Sequence, residues 1–420
     1  MMKYVLFTLV GLASLFSANS LAERFAITNA LVHTLTEQGV LANATVVVED
    51  GVISEINPSS LNVDKVIDAQ GKILTPGLIG SMNQLGLDEV SAVATTQDAA
   101  DKDADISFDP SLAFNAKSSV IPYSRKGGVT TNFVIPKGGK GIFKGQGFIT
   151  DLTGSYSSIV SANHGVVVDL GAKSKGSRAL SLQKLALKLE KLQEKLAANN
   201  SEQESADEKK AQSDKNDKLK ADEKILQAVL SGEKTLFAHA DRASDMLELI
   251  RLKQVYKFSL VIIGAADALK ITEQLTAADV TVAISGIRNL PSFEGLHTSL
   301  QTSAELARSG VKFLIHVNGD THNLYQLRFN AGIAVANGLP FEQALAAVTA
   351  NVADVLNLDA GRIKVGNRAD LVLWSGDPLE LSSKVEQMWI KGQPHSTLSR
   401  HDKLRDRYKQ QSEMPKAYLR

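Results

Sequence analysis

The chain has 420 residues, 44% of them hydrophobic, with no cysteine and with 46 basic side chains balanced by 46 acidic ones. That length and apolar content suit one large core with an accessory unit. The lack of cysteine excludes disulfides, thiolate nucleophiles and cysteine-held metals, and the charge balance offers no footprint for nucleic acid or an anionic membrane surface.

Lys3, the apolar segment Tyr4 to Phe16 and the small residues of Ser20-Leu21-Ala22 read as a secretory signal cut after Ala22. The apolar run is too short to span a bilayer comfortably. The expectation for residues 1–22 is therefore a cleaved signal, and for the mature chain a periplasmic or secreted location with no stable membrane insertion.

From Phe25 to Ile73 the pattern is short β segments separated by turns. Ala44 to Val48 is β-branched, Glu49-Asp50-Gly51 is a tight turn, and Val52 to Ile56 is its hairpin partner. The middle of the chain alternates strand and helix signals, which argues for parallel βα units. Gly128 to Ile135 ends at Pro136, Leu236 to His239 leads into a helical pattern, and Leu260 to Ile263 breaks at Gly264. Val280 to Ile284 and Val311 to His316 each end in a polar turn. This predicts a (β/α)8 TIM-type barrel with polar clusters at the strand ends, where such barrels place their sites.

An insertion at about 179–224 interrupts the alternation. Leu182, Leu185, Leu189, Leu192 and Leu196 make one apolar seam on a charged helix. From Asn199 to Lys218 alanines are the only apolar residues, so that stretch reads as mobile or solvated. Two readings of the insertion stand: a helical hairpin projecting from the barrel, or a partner or oligomer contact through the Leu seam. Residues 396–420 read as a helical tail, weakly amphipathic around Leu404 and Tyr408.

The phrase Gly71-Lys72-Ile73-Leu74-Thr75-Pro76-Gly77-Leu78-Ile79-Gly80-Ser81-Met82-Asn83-Gln84-Leu85-Gly86 resembles a signature of the amidohydrolase superfamily, in its imidazolonepropionase-like and dipeptidase-like branch. Gly361 to Trp374 resembles the same superfamily's Gly-x-Ile-x-x-Gly-x-x-Ala-Asp-Leu-Val phrase. The resemblance implies a small flanking β-sandwich built from both chain ends, residues 23–75 plus 361–395, beside a barrel of residues 76–360. It also implies hydrolysis of a C–N bond by a metal-bound hydroxide, with a strand-end Asp moving the proton.

The metal ligands that the resemblance calls for are largely replaced. Met82 and Gln84 stand where the first strand carries two histidines, and Gly80 stands where it carries Asp. Asp169 is a candidate fourth-strand carboxylate. His239, in His239-Ala240-Asp241-Arg242-Ala243-Ser244-Asp245, holds a ligand position, whereas Ile263 and Gly264 occupy the sixth-strand histidine position. On the eighth strand the base position falls on Asn318. A displaced turn would instead offer Asp320 with His322, making a non-standard mononuclear site with His239 for one divalent metal (Zn or similar). Gln84, Arg242 and Asn323 are pocket candidates, and His316, inside an apolar strand, reads as a satisfied core residue. Gly138-Gly139-Lys140-Gly141 and Gly145-Gln146-Gly147 resemble the branch's Gly-Gly…Gly-Gln-Gly stretch, which implies glycines that let the backbone approach the barrel mouth.

Two functions follow. One is an exported amidohydrolase-like enzyme with a reduced or atypical metal site, acting on a small dipeptide, cyclic amide or other C–N bond. The other is a non-catalytic relative that binds a small molecule or pairs with an intact homologue, as a homo- or hetero-oligomer.

Overall fold

The computed structural model of the chain describes residues 24–171, 176–201, 219–285 and 292–409. The expected signal segment, nearly all of the stretch Asn199 to Lys218 and the end of the tail lie outside those residues. Among the described residues no helix is long and apolar enough to cross a membrane.

Both chain ends contribute to one sheet. Its strands are β1 (Phe25–His33), β2 (Val40–Glu49), β3 (Val52–Ile56), β4 (Lys65–Asp68), β5 (Ile73–Pro76), β14 (Leu371–Trp374), β15 (Val385–Ile390) and β16 (Gln393–Pro394). Asp50 and Gly51, with φ of 53° and 79°, form the two-residue turn between β2 and β3. Those left-handed angles are what an Asp-Gly hairpin supplies. The ends join where β14 runs antiparallel to β5, with Leu371 opposite Pro76 and Trp374 opposite Ile73.

Asp370 explains the Ala-Asp-Leu-Val phrase. Its buried carboxylate accepts from the Thr131 hydroxyl at 3.1 Å and the Lys391 backbone N–H at 2.9 Å, and it pairs with the Arg368 guanidinium. Its carbonyl accepts from Gly77 N–H at 2.8 Å. One side chain thus ties the flanking sheet to the barrel.

The barrel strands are β6 (Leu78–Asn83), β7 (Val129–Val134), β8 (Phe143–Asp151), β9 (Ile159–Asp169), β10 (Thr235–Ala240), β11 (Leu260–Gly264), β12 (Thr281–Ser285) and β13 (Phe313–His316), hydrogen-bonded in chain order. The regular βα alternation fails once: β8 is antiparallel to both β7 and β9. The connections on its two sides are too short for the crossover a parallel neighbour needs. Between β13 and β6 the wall is stitched by the Val348 carbonyl, which accepts from Ile79 N–H at 2.9 Å.

Strand parity divides the core. Phe133, Ile149, Val167, Phe237, Val261, Ala283 and Leu314 fill the barrel interior, while Val166, Val168, Leu236, Ala238 and Ile262 face the surrounding helices.

The middle of the leucine seam packs against the barrel. In the helix Arg178–Ser201, Leu185 and Leu189 are fully buried and Leu192 nearly so. They pack into the main core together with Leu226 and Val229 of the helix Ala221–Leu230. The described parts of the two helices therefore lie on the barrel, and the middle of the seam is taken up by this chain's own packing, while Leu182 and Leu196 are half-buried. The tail also docks differently from its pattern: Tyr408 is exposed, and the helix Arg400–Lys409 is held by Asp402, which accepts from Lys126 Nζ at 2.8 Å and Ser399 Oγ at 2.6 Å.

Candidate functional site

Parity and register decide which side chains meet at the C-terminal strand ends. His239 shares the interior face with Phe237 and lies opposite Asp169 on β9 and Ile263 on β11. Ser285 lies opposite His316. A cavity of about 300 Å³ opens there, lined by Met82, His239, Asp241, Ile263, Ser285, His316 and Asn318 together with the loop from Ser292 to Ser303. A larger open groove of about 750 Å³ lies at the opposite strand ends, near His164 and Thr235.

At the first strand, Met82 takes a left-handed conformation (φ 57°) within a register break between Gly80 and Asn83. The thioether joins the interior cluster at the mouth. A side chain at Gly80 has no room, since a Cβ there would lie 2.3 Å from Asn132 Oδ1 and 2.7 Å from Leu324 Cδ1. Asn132 is locked in turn: Asn83 Nδ2 donates to its Oδ1 at 2.8 Å, and its Nδ2 donates to Asn83 Oδ1 at 3.0 Å. Asn132 and Leu324 occupy the space that a side chain at Gly80 would need.

The sixth strand shows the same thing. Gly264 (φ 99°) would place a Cβ 2.4 Å from Asp241 Oδ1, so the aspartate of β10's own turn occupies that room.

At the fourth and fifth strands, His239 Nε2 is 3.6 Å from Asp169 Oδ1, and Lys144 Nζ is 3.6 Å from Asp169 Oδ2. Lys144 is buried on β8 and also donates to the carbonyls of Gly139 at 3.0 Å and Gly141 at 3.1 Å. The glycine stretch wraps this lysine, because a Cβ at Gly138 would lie 2.2 Å from Lys144 Cα.

The eighth-strand turn corrects one expectation. The Thr321 hydroxyl is buried and donates to the Asp88 carbonyl at 3.1 Å, and Leu324 is buried beside it. Pinning these two inward leaves Asp320 and His322 exposed and outside the cavity lining, so they do not join His239. Asn318 lines the cavity as the unshifted count places it. Gln84 donates to the Ile135 carbonyl at 3.3 Å, and Asn323 accepts from Gln326 at 3.4 Å; neither lines the cavity.

Arg242 sits at the rim. It bonds Glu294 through Nε at 3.2 Å and Nη2 at 3.3 Å, with its guanidinium 5.2 Å from the Phe293 ring centroid. Arg178 pairs with Glu294 as well and lies 3.4 Å from Asp245, whose carboxyl is pushed above its ordinary value by burial, against the pull of Arg178. Asp267 accepts from the Ala243 N–H at 3.1 Å and pairs with His297 at 2.6 Å. Burial raises its carboxyl, but these bonds hold it below the ordinary value. Together these pairs clasp the loop from Ser292 to Thr298 over the mouth.

Lys144, Asp241, Glu294 and the cavity-facing role of His316 escape the sequence reading. For Lys144 the available signal was a charged residue set among strand glycines; for His316 it was the parity shared with Leu314.

The donors at the strand ends are thus the imidazoles of His239 and His316, the carboxylates of Asp241 and the lysine-paired Asp169, and the thioether of Met82. A catalytic Zn²⁺ takes three protein ligands and an open position, and a thioether suits softer ions. Among the described residues no three His, Asp or Glu side chains converge as a metal-holding group.

Residues 316–395 match the Amidohydrolase family. Over 57 residues the chain is 46% identical to the amidohydrolase tasK of Hapsidospora irregularis, a stretch covering 13% of this chain and 6% of that protein. Among solved structures, an amidohydrolase from Thermotoga maritima MSB8 superposes with a TM-score of 0.78 at 24% identity, covering 90% of this chain and 100% of that one. A Xaa-Pro dipeptidase with methionine bound in its active site superposes with a TM-score of 0.55 at 14% identity, covering 89% and 100%. The eighth-strand end and second sandwich half thus match the Amidohydrolase family in sequence, and the fold as a whole is similar to that of solved amidohydrolases.

Proposed function

We propose that the chain is an exported, small-molecule-binding member of the superfamily whose barrel mouth works without a hydrolytic metal centre. The observation that carries this reading is the strand-end layer itself, where Met82 and Ile263 belong to the apolar interior cluster and Asp169 pairs with Lys144, at positions where the resemblance would call for metal ligands. Asn132 and Asp241 fill the space of further ligands. The export part of the proposal rests on the segment Lys3 to Ala22.

The cavity suits a ligand of amino-acid to dipeptide size. Its volume of about 300 Å³ lies at the lower end for ligand pockets. Ser285, Asn318, His239 and Asp241 offer hydrogen bonds, while Met82, Ile263 and Ile284 offer apolar contact. The methionine held by the structurally similar dipeptidase is of that class. Neutral or zwitterionic amides, including small cyclic ones, fit the same description.

A second reading has one observation in its favour. His239 and Asp169, 3.6 Å apart beside the cavity, are placed so that the imidazole can take a proton from water while the carboxylate stabilises the imidazolium. That pair would make the chain a C–N hydrolase of atypical mechanism.

The deciding experiment measures binding and turnover of free amino acids, dipeptides and cyclic dipeptides by calorimetry and mass spectrometry. Saturable binding without product, weakened by Asp241→Asn, is the expected result. Hydrolysis that disappears in His239→Ala would overturn the binding-only reading in favour of the second, and hydrolysis that also disappears with chelator would restore a metal centre.

A further inference from the structure

Lys144 is a nearly buried ammonium, 7% exposed, on β8 beside the C-terminal strand ends. A buried ammonium persists only where its desolvation is offset by hydrogen bonds and an opposite charge. Here the offset is built in. Two carbonyls, Gly139 and Gly141, accept from Nζ at 3.0 and 3.1 Å, and Asp169 Oδ2 lies at 3.6 Å. The cage is specified by glycines. A Cβ at Gly138 would meet the Lys144 backbone at 2.2 Å, and one at Gly139 would lie 2.6 Å from the Ala104 carbonyl. Beyond Asp169, His239 Nε2 lies 3.6 Å from Oδ1 and lines the cavity. The order is therefore ammonium, carboxylate, imidazole, cavity.

We propose that Lys144 supplies the fixed positive charge of this barrel mouth in place of a metal ion, holding Asp169 and through it His239, and that its ammonium excludes divalent cations from those two donors. Lys144 is a positioning residue: it touches Asp169, and only His239 of the three lines the cavity. A divalent ion bridging Asp169 and His239 would sit close to the ammonium, and like charges at such range repel strongly where water is scarce. The chemistry left at the mouth is that of an oriented imidazole facing a small polar ligand.

This inference rests on the metal-free reading above, and its test separates the two. The probe is Zn²⁺ alone, titrated into the full mature chain by calorimetry with the His239 imidazole followed by NMR. The expected result is no stoichiometric binding and no saturable His239 perturbation in the unmodified chain or in Lys144→Arg. Lys144→Met should gain one site, about 100-fold tighter than any residual binding, and lose it again when His239→Ala is added. If the unmodified chain binds one Zn²⁺ through His239, both the inference and the metal-free reading fall. If it binds none and a folded Lys144→Met also gains none, the inference alone falls. Should Lys144→Met lose its cooperative melt, the milder Lys144→Gln takes its place with the same two outcomes.

Discussion

Two buried aspartates, Asp370 at the seam between sheet and barrel and Asp169 at the barrel mouth, show how one motif-bearing chain divides its labour. Asp370 is bonded at 2.9 to 3.1 Å by a hydroxyl and a backbone N–H, besides its pairing with Arg368. Asp169 meets its lysine and its histidine at 3.6 Å each. The first carboxylate is saturated by short bonds and holds the fold. The second pairs with Lys144 and His239 beside the cavity. The phrases that carry the resemblance converge on the first region, and the cavity opens beside the second.

The comparison can be broken from the structural side first. Asp370→Ala should destabilise the chain by about 3–5 kcal/mol, the cost of stranding a buried cation and its fellow donors, measured by urea unfolding; a loss well below that would mean the seam is held elsewhere. Leu189→Ala should cost about 3 kcal/mol by leaving a cavity under the inserted helix, with no change in mass by light scattering. A change in oligomeric state would restore the partner reading of the leucine seam. Gly80→Asp, which puts a side chain where Asn132 already sits, should cost about 2 kcal/mol through overpacking. Adding Asn132→Ala should return part of that loss in a thermal melt, and no return would place the clash elsewhere.

The smallest effect concerns the tail. Burial raises the Asp402 carboxyl, but the bonds from Lys126 and Ser399 outweigh it and hold the group well below the ordinary carboxylate range. A depressed folded value means the contribution is present above about pH 4, where an unfolded Asp is already ionised, and is lost as pH falls through the folded value. The docked helix Arg400–Lys409 should therefore loosen in acid by about 1 kcal/mol, since Lys126 is partly exposed and screened. NMR of the Ser399 amide on lowering the pH follows this, and Asp402→Asn should abolish the dependence.

Much of the fold is written locally. The Asp50-Gly51 hairpin, the β-branched strands, the breaks at Pro136 and Gly264, and the leucine spacing of the inserted helix each depend on residues a few positions apart, so the sequence by itself determines them. The same is true of His239, whose neighbours spell a recognisable strand end. What the tertiary structure alone decides is who shares a space. The antiparallel β8 and the closing of the seam onto the barrel depend on pairings between distant segments. Asp320 and His322 turn outward because Thr321 bonds to Asp88, 233 positions away. Lys144 enters the site because β8 packs beside β9. Gly80 and Gly264 look like simple losses in the sequence, yet Asn132 and Asp241 occupy their room. Packing at close range is exclusive, so the meaning of a missing side chain lies in the residue that fills its place.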